Sequence, residues 1–345
     1  MERWGRQAFT VADRLRRAVK DVRWSPSWSR AEANPAQATP VVAPIYAVIG
    51  TYNEADVIEA SVRNAFVQGA ERVYLVDNAS TDDTVERAVA AGAILAERFS
   101  TQSFEESVRC LLMNGVVWRV SQAESAEHIW WWWIDADEFS HGPQNLTIAD
   151  YLSRLDGRFR VVGADVYRHF PDTKPEYIPG FHPLEFQPLC ELFRQPSMPR
   201  CRLLHHKHPL QRFDRSGPFI TSARGYHECE PNDRRALIEP AVGIVTHHFQ
   251  FREESVTRRR LDEVYGPQGG RGETLRHFKN LGGLGRLESA DAVYSQRWAE
   301  VDNQHHIVGD VGVHLRPWQS FSGWSVPLRW YGEDELILAI SSKRP

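Results

Sequence analysis

Hydrophobic and polar positions change period several times between residues 45 and 140. Ile45 to Gly50 is a short apolar run, predicted as the first strand. A helical spacing follows through Val57, Ile58, Val62 and Phe66, and Gly69 stands where that helix should stop. Arg72 to Asp77 reads as a second strand. Asn78 to Thr84 reads as a loop entering a helix, with Ser80 or Thr81 as its cap and Asp82 and Asp83 in its first turn. That helix runs to Ala91 and Gly92, Ile94 to Ala96 is a third strand, and residues 103–120 are a third helix.

The fourth strand is Trp130-Trp131-Trp132-Trp133-Ile134, and Asp135-Ala136-Asp137-Glu138-Phe139 follows it directly. A run of large apolar residues suits a strand buried on both faces of a sheet. Carboxylates cannot follow into that core unpaired. They must emerge at the carboxyl end of the strand, where open α/β sheets bind ligands. Strand and helix have by then alternated repeatedly, which predicts an α/β fold built on a mostly parallel sheet with right-handed crossovers and helices on its faces. Beyond residue 139 the pattern loosens. Residues 147–155 read as a helix, 161–166 as a strand, 170–218 as loops with short strands, and Val242 to Val245 as a strand leading into Thr246-His247-His248-Phe249. Residues 253–264 read as a basic helix, 288–302 as another helix, and 309–340 as β-like.

Composition narrows the function classes. The 345 residues carry a net charge of −4, with no electrostatic case for nucleic acid as a partner. Four cysteines lie far apart without a Cys-x-x-Cys pair, which reads as a reduced cytoplasmic protein. No run of eighteen apolar residues exists, and the N-terminus lacks the apolar core of a signal peptide. Residues 1–24 carry seven Arg or Lys against three Asp or Glu among spaced apolar residues, and residues 25–44 are a linker rich in Pro, Ala and Ser. The basic segment reads as a solvated helix, with peripheral contact at the inner face of a membrane as the sharper alternative.

Two aspartates spaced as Asp135 and Asp137 can share one hard divalent cation, which itself favours phosphate oxygens. There is no G-x-G-x-x-G after the first strand and no P-loop sequence, which disfavours the ordinary dinucleotide fold and the P-loop NTPases. The segments Ile49-Gly50-Thr51-Tyr52-Asn53-Glu54, Val76-Asp77-Asn78-Ala79-Ser80-Thr81-Asp82-Asp83-Thr84 and Ile134-Asp135-Ala136-Asp137-Glu138-Phe139 together resemble a family 2 glycosyltransferase of the GT-A fold. The resemblance is strong over about residues 45–140, and its order and spacing match. It departs from the family where two aspartates often stand, since here the pair is Asp77-Asn78.

The resemblance implies three parts: a basic segment and linker at 1–44, a GT-A catalytic domain at 45–250, and a C-terminal extension at 251–345. It implies transfer of a sugar from a nucleotide-diphosphate sugar to a glycan or glycolipid acceptor, in bacterial surface polysaccharide or glycolipid synthesis. It implies a divalent cofactor, Mn²⁺ or Mg²⁺, that neutralises the leaving diphosphate. Asp137 is then the metal ligand, and Asp135 joins it or holds the ribose or a metal-bound water. Asp77 accepts from the base N–H, while Thr51, Asn53 and Glu54 line the nucleotide pocket and Arg109 meets the diphosphate. Tyr226-His227-Glu228 resembles an aromatic-His-Glu segment of enzymes acting on lipopolysaccharide cores, followed there by a strand ending in His and an aromatic. His227 and His248 are therefore candidates to complete the metal shell, with His227 preferred because Glu228 can fix its tautomer. An inverting transfer also needs a base for the acceptor hydroxyl, for which Glu228 and Glu191 are candidates. His205-His206-Lys207-His208 reads as a basic loop, and Arg258-Arg259-Arg260 as a solvated helix face or a lipid-headgroup contact. The competing readings are a nucleotidyltransferase on a similar sheet and an inactive glycan-binding protein.

Overall fold

The computed structural model describes residues 39–101, 105–143, 146–169, 183–185, 187, 189–192, 207–232 and 240–265, with short strands at 307–308, 314–317, 327–329 and 337–339. The helices expected at 1–24 and 288–302, and His205 and His206, lie outside the described residues.

β1 (Ile45–Thr51), β2 (Arg72–Asp77) and β3 (Ile94–Arg98) pair in parallel in that order, and β4 (His128–Asp135) pairs in parallel with the other side of β1. Helices α1 (Ile58–Val67), α2 (Thr84–Ala90) and α3 (Glu106–Ala123) make the crossovers. The chain thus steps away from β1 through β2 and β3, then returns to β4 on the opposite flank. That reversal makes a crevice outside the carboxyl ends of β1 and β4, the place where open α/β sheets take ligands.

The tryptophan run forms the core strand for the expected reason. Trp130 and Trp132 pack into the cluster that contains Ile49, Ile58 and Leu75, while Trp131 and Trp133 pack on the other face with Val48, Val76 and Met113. The two-residue period of a strand therefore sends alternate indoles into two different apolar layers. Trp131 donates through its indole nitrogen to Ser121 Oγ at 2.8 Å, which satisfies the polar edge that a buried tryptophan carries. Gly69 ends α1 at φ +105°, and Ala70 N–H reaches back to Ala65 O at 2.9 Å. A Cβ at Gly69 would stand 2.4 Å from Ala149 Cβ, so the same residue lets the next segment close over the helix end.

Beyond β4 the pairing changes. β5 (Glu138–His141) follows after the Ala136-Asp137 bend, and β6 (Val161–His169) comes after the short helix α4 (Ile148–Leu152). β7 (Leu189–Leu192) lies antiparallel to β6, and β8 (Lys207–Asp214) lies antiparallel between β4 and β6. β9 (Ile220–Ala223) and β10 (Glu228–Pro231) form a hairpin. β11 (Pro240–His248) runs parallel to β6 and antiparallel to β5, and α5 (Glu254–Tyr265) follows it. The fold is α/β, with the parallel strands flanked by helices and antiparallel strands extending the sheet beyond β4. No helix among the described residues is long and apolar enough to cross a membrane.

Three local expectations are corrected. Lys207 and His208 are not in a basic loop but open β8, and both are buried. Thr246, His247 and His248 belong to β11 rather than following it. Neither Ser80 nor Thr81 caps α2: Asp82 accepts the Thr84 N–H at 3.1 Å, while Ser80 turns inward to Asp77.

Candidate active site

The loops after β1 and β2 are clamped together. Asn53 takes φ +51°, a left-handed conformation that asparagine tolerates better than most residues. Its N–H donates to Ser80 Oγ at 3.0 Å and its side-chain oxygen accepts from Thr81 N–H at 2.8 Å. Glu54 N–H donates to Thr84 Oγ1 at 2.8 Å, so Glu54 is presented from the start of α2 as much as from β1. Asp77 is wholly buried, and both its oxygens are engaged: Ser80 donates its N–H at 3.2 and 3.1 Å and its hydroxyl at 2.5 Å, and Arg98 Nε lies 3.2 Å away. Its observed work is to fold the 77–81 loop. Thr51 is buried alongside, and its hydroxyl has no hydrogen-bond partner among the described residues.

The crevice between β1 and β4 holds two linked groups of charges. In the first, Asp135 receives Arg109 on one oxygen and Lys207 on the other, the latter at 2.5 Å. Lys207 also lies 2.6 Å from Glu138, and Arg109 is held at 2.8 Å by Glu106. Gly50 makes this possible, because a Cβ there would stand 3.0 Å from Arg109 Cδ. The Tyr226 ring lies beneath both cations, 5.5 Å from the Arg109 guanidinium and 5.4 Å from Lys207 Nζ.

In the second group Asp137 Oδ2 is the focus. Arg260 Nη2 donates to it at 2.9 Å, His248 Nε2 lies 3.5 Å away, and Arg252 Nη1 lies 3.6 Å away. Arg252 is fully buried: it pairs with Glu54, holds Asp56 at 2.6 Å, and donates to Phe249 O at 3.2 Å. Arg260 also approaches Glu54, at 3.4 Å. His248 bridges the two groups, since its Nδ1 is 3.8 Å from Glu138.

Burial raises the proton affinity of Glu54, Asp135, Asp137 and Glu138, and neighbouring cations decide the outcome at each. At Asp135 the charges of Arg109 and Lys207 outweigh burial and hold the carboxyl well below its ordinary value. At Asp137 burial is likewise outweighed, by Arg260 and then His248. At Glu54 and Glu138 burial wins, so both are raised despite Arg252 beside the one and Lys207 beside the other. Among the described residues six carboxylates (Glu54, Asp56, Glu106, Asp135, Asp137 and Glu138) share four permanent cations (Arg109, Lys207, Arg252 and Arg260). By formal count the carboxylates exceed the cations by two, the charge of one divalent ion, and Glu54 and Glu138 are the two that burial raises.

The donor chemistry at Asp137 fits such an ion. Two cis ligands each about 2.1 Å from one octahedral metal stand about 3.0 Å apart. Asp137 Oδ2 and His248 Nε2 stand 3.5 Å apart, so a small adjustment brings both onto one ion. No third His, Cys, Asp or Glu joins them in a cluster among the described residues, so the protein offers two positions and leaves the rest to phosphate oxygens and water.

The sequence-based candidates divide accordingly. Thr51, Asn53, Glu54, Asp77, Arg109, Asp135, Asp137 and His248 lie at the ends of β1, β2, β4 and β11 or face them. Of the two candidate histidines, expected in the order His227 then His248, the geometry brings His248 beside Asp137. His248 ends a strand paired register-to-register with Glu138, which places it beside Asp137, whereas His227 lies in the turn between β9 and β10. Glu228 pairs with Arg224 at 2.8 Å in that hairpin, and Glu191 lies in β7 with its backbone opposite Arg168. The Arg258-Arg259-Arg260 run is not simply a solvated face. Arg258 pairs with Glu254, but Arg259 donates to Asn53 O at 3.2 Å and Arg260 enters the site. Lys207, Glu138, Arg252 and Arg260 were missed as site residues. The one available signal was position: Arg252 and Arg260 closely follow a strand that ends in histidine.

No family model matches the sequence, and no curated protein matches it. Solved structures do overlap it. One is glucosyl-3-phosphoglycerate synthase from Mycobacterium tuberculosis in complex with Mn²⁺, uridine diphosphate and phosphoglyceric acid, at 20% identity over 76% of this chain and 85% of that one, with a TM-score of 0.33. Another is the same enzyme with Mg²⁺ and uridine diphosphate, at 19% identity over 74% and 88% of the two chains, also with a TM-score of 0.33. An overlap this loose assigns no chemistry to the chain.

Proposed function

We propose that this protein is a divalent-metal-dependent glycosyltransferase that moves a sugar from a nucleotide-diphosphate sugar to an acceptor hydroxyl. The observation that carries the reading is Asp137 Oδ2 and His248 Nε2 facing each other at 3.5 Å in a crevice whose carboxylates formally outnumber its permanent cations by two. Asp137 and His248 would hold Mn²⁺ or Mg²⁺, which as a Lewis acid stabilises charge on the departing diphosphate. Arg252, fixed by Asp56, Glu54 and Phe249 O, keeps Glu54 at the mouth of β1. Arg109 and Lys207 hold Asp135 ionised and immobile, which suits it to orient a ribose hydroxyl or a metal-bound water. The loop folded by Asp77 and Asn53 forms the nucleotide side of the crevice, with the Thr51 hydroxyl buried next to it.

The family 2 assignment and an inverting outcome belong to the same proposal and rest on the three sequence segments. Glu228 is two residues beyond Tyr226, whose ring lies under the Asp135 cations, and Glu228 and Glu191 remain the proposed bases. Synthesis of a bacterial surface glycan or glycolipid is the proposed setting.

The test is donor turnover across UDP-, GDP- and CMP-sugars with Mn²⁺. Turnover of one diphosphate donor, lost in Asp137→Ala with the fold retained, is the expected result. Full activity of Asp137→Ala, or of the wild type in excess EDTA, removes the metal from the proposal. Nucleotide transfer to a sugar phosphate instead selects the nucleotidyltransferase reading.

A further inference from the structure

We infer that Arg260 is an exchangeable counter-ion: it occupies the metal-ligand oxygen of Asp137 when no divalent ion is bound, and passes to the diphosphate when ion and diphosphate bind together. The inference rests on the metal site proposed above and adds an order of events to it.

The geometry makes the exchange necessary. His248 Nε2 faces Asp137 Oδ2, so Oδ2 is the oxygen through which both residues would hold one metal. Arg260 Nη2 already donates to that same oxygen at 2.9 Å. A guanidinium hydrogen-bonded to the oxygen and a divalent ion bound to it would be two like charges a few ångströms apart in a buried site, where repulsion is strong. One of them must move. Arg252 is not the one. Its side chain is fully buried and is tied to Asp56, to Glu54 and to the Phe249 carbonyl. Arg260 sits on α5, is partly exposed, and also reaches Glu54 Oε1 at 3.4 Å and Gln250 O at 3.2 Å.

When Arg260 leaves, Glu54 keeps Arg252 as a partner, so no carboxylate of the second group is stranded. A diphosphate arriving with the metal brings acceptor oxygens that a guanidinium can take in a bidentate contact. Metal alone must therefore displace Arg260 without compensation, whereas metal with diphosphate gives it a new partner. By linkage, whatever factor diphosphate adds to metal affinity, metal adds to diphosphate affinity.

The experiment is Mn²⁺ binding to the full chain, read from the electron paramagnetic resonance signal of free Mn²⁺. It is run with and without inorganic pyrophosphate, against a protein-free pyrophosphate control. In the wild type pyrophosphate should tighten Mn²⁺ binding by about 10- to 100-fold, which corresponds to about 1.4–2.8 kcal/mol of coupling. Arg260→Gln should bind Mn²⁺ alone about tenfold more tightly than wild type, and the gain from pyrophosphate should shrink by a similar factor. Arg260→Lys keeps the charge but cannot span Asp137 and Glu54 in the same way, so it should fall between the two. It also serves as the readout if Arg260→Gln fails to fold, as judged by circular dichroism. Mn²⁺ affinity unchanged in the folded Arg260 variants overturns the exchange while leaving the metal site standing. If wild type and Asp137→Asn take up Mn²⁺ equally with pyrophosphate, the metal site itself fails and the exchange fails with it.

Discussion

Replacing Lys207 by methionine tests whether the charges in the crevice are organised as described. The substitution keeps the length and most of the volume of the side chain but removes its ammonium. Lys207 is 8% exposed and bridges Asp135 and Glu138 at 2.5 and 2.6 Å. Breaking a buried ion pair by deleting one partner costs about 3–5 kcal/mol, because the other charge is left uncompensated. Asp135 keeps Arg109, so the loss should fall mainly on Glu138. Glu138 has an escape that Asp135 lacks. Burial already raises it, and removing Lys207 raises it further, so it can take a proton.

The sign follows from that shift. A carboxyl raised in the folded state binds protons that the unfolded chain has released, so its folded form loses stability as pH rises from the ordinary glutamate value through the raised one. Lys207→Met should therefore be more destabilised relative to wild type at pH 8 than at pH 5. Glu138→Gln added to Lys207→Met should restore a large part of the loss, because a neutral amide needs no counter-ion. Urea denaturation of the four proteins of this cycle at both pH values gives the coupling directly. A Lys207→Met loss below about 1 kcal/mol at both pH values, or a double variant no more stable than the single one, would refute the reasoning.

The other predictions concern separate parts of the molecule. His248→Ala should weaken the Mn²⁺ dependence of donor turnover and His227→Ala should not; the reverse pattern would return the metal to His227. Asp77→Ala should lower stability by about 1–3 kcal/mol by unpairing the buried Ser80 N–H and hydroxyl, measured by urea denaturation, and unchanged stability would make Asp77 available to a base instead. Burial lowers His141 to about 4 and His169 to about 3, so the unfolded chain takes up protons first and this contribution to stability, complete above about pH 6.5, is lost as pH falls. Each imidazole should cost about 1.4 kcal/mol at pH 5.5 relative to high pH, and a His141→Gln, His169→Gln variant with the same acid sensitivity as wild type would contradict it.

The parallel half of the sheet was readable because its physics is local. An apolar run such as Ile45 to Gly50 or Trp130 to Ile134 belongs inside whatever surrounds it, and Gly69 ends a helix by its own backbone freedom. The acidic side of the crevice followed from the same rule, since Asp135, Asp137 and Glu54 are forced out at strand ends. β8 was not readable. Lys207, His208, Gln211, Arg212 and Asp214 are all buried in it, and a stretch so polar reads as a loop until its partners are known. Those partners are remote in sequence: Lys207 meets Asp135, and Arg212 donates to the Gly157 carbonyl at 2.8 Å.

The same difference explains why Lys207, Arg252 and Arg260 were missed while Glu54, Asp135 and Asp137 were found. Asp137 is carried by the strongest apolar signal in the chain. Arg260 sits on a helix whose Arg-Arg-Arg run gives no hint that one of the three turns inward. Charge patterning along a helix reports which residues can be solvated. It does not report which of them a carboxylate 123 positions earlier will claim. A buried carboxylate nevertheless sets a requirement that can be stated from sequence: each one forced out at a strand end in this crevice needs a cation or a proton. Asp135 meets it with Lys207 and Arg109, Asp137 with Arg260, and Glu54 and Glu138 meet it only in part, which is why, of these four, only those two are raised on balance. The unmet remainder lies on Glu54 and Glu138, which flank Asp137 through Arg260 and His248, where a divalent ion would add the missing charge.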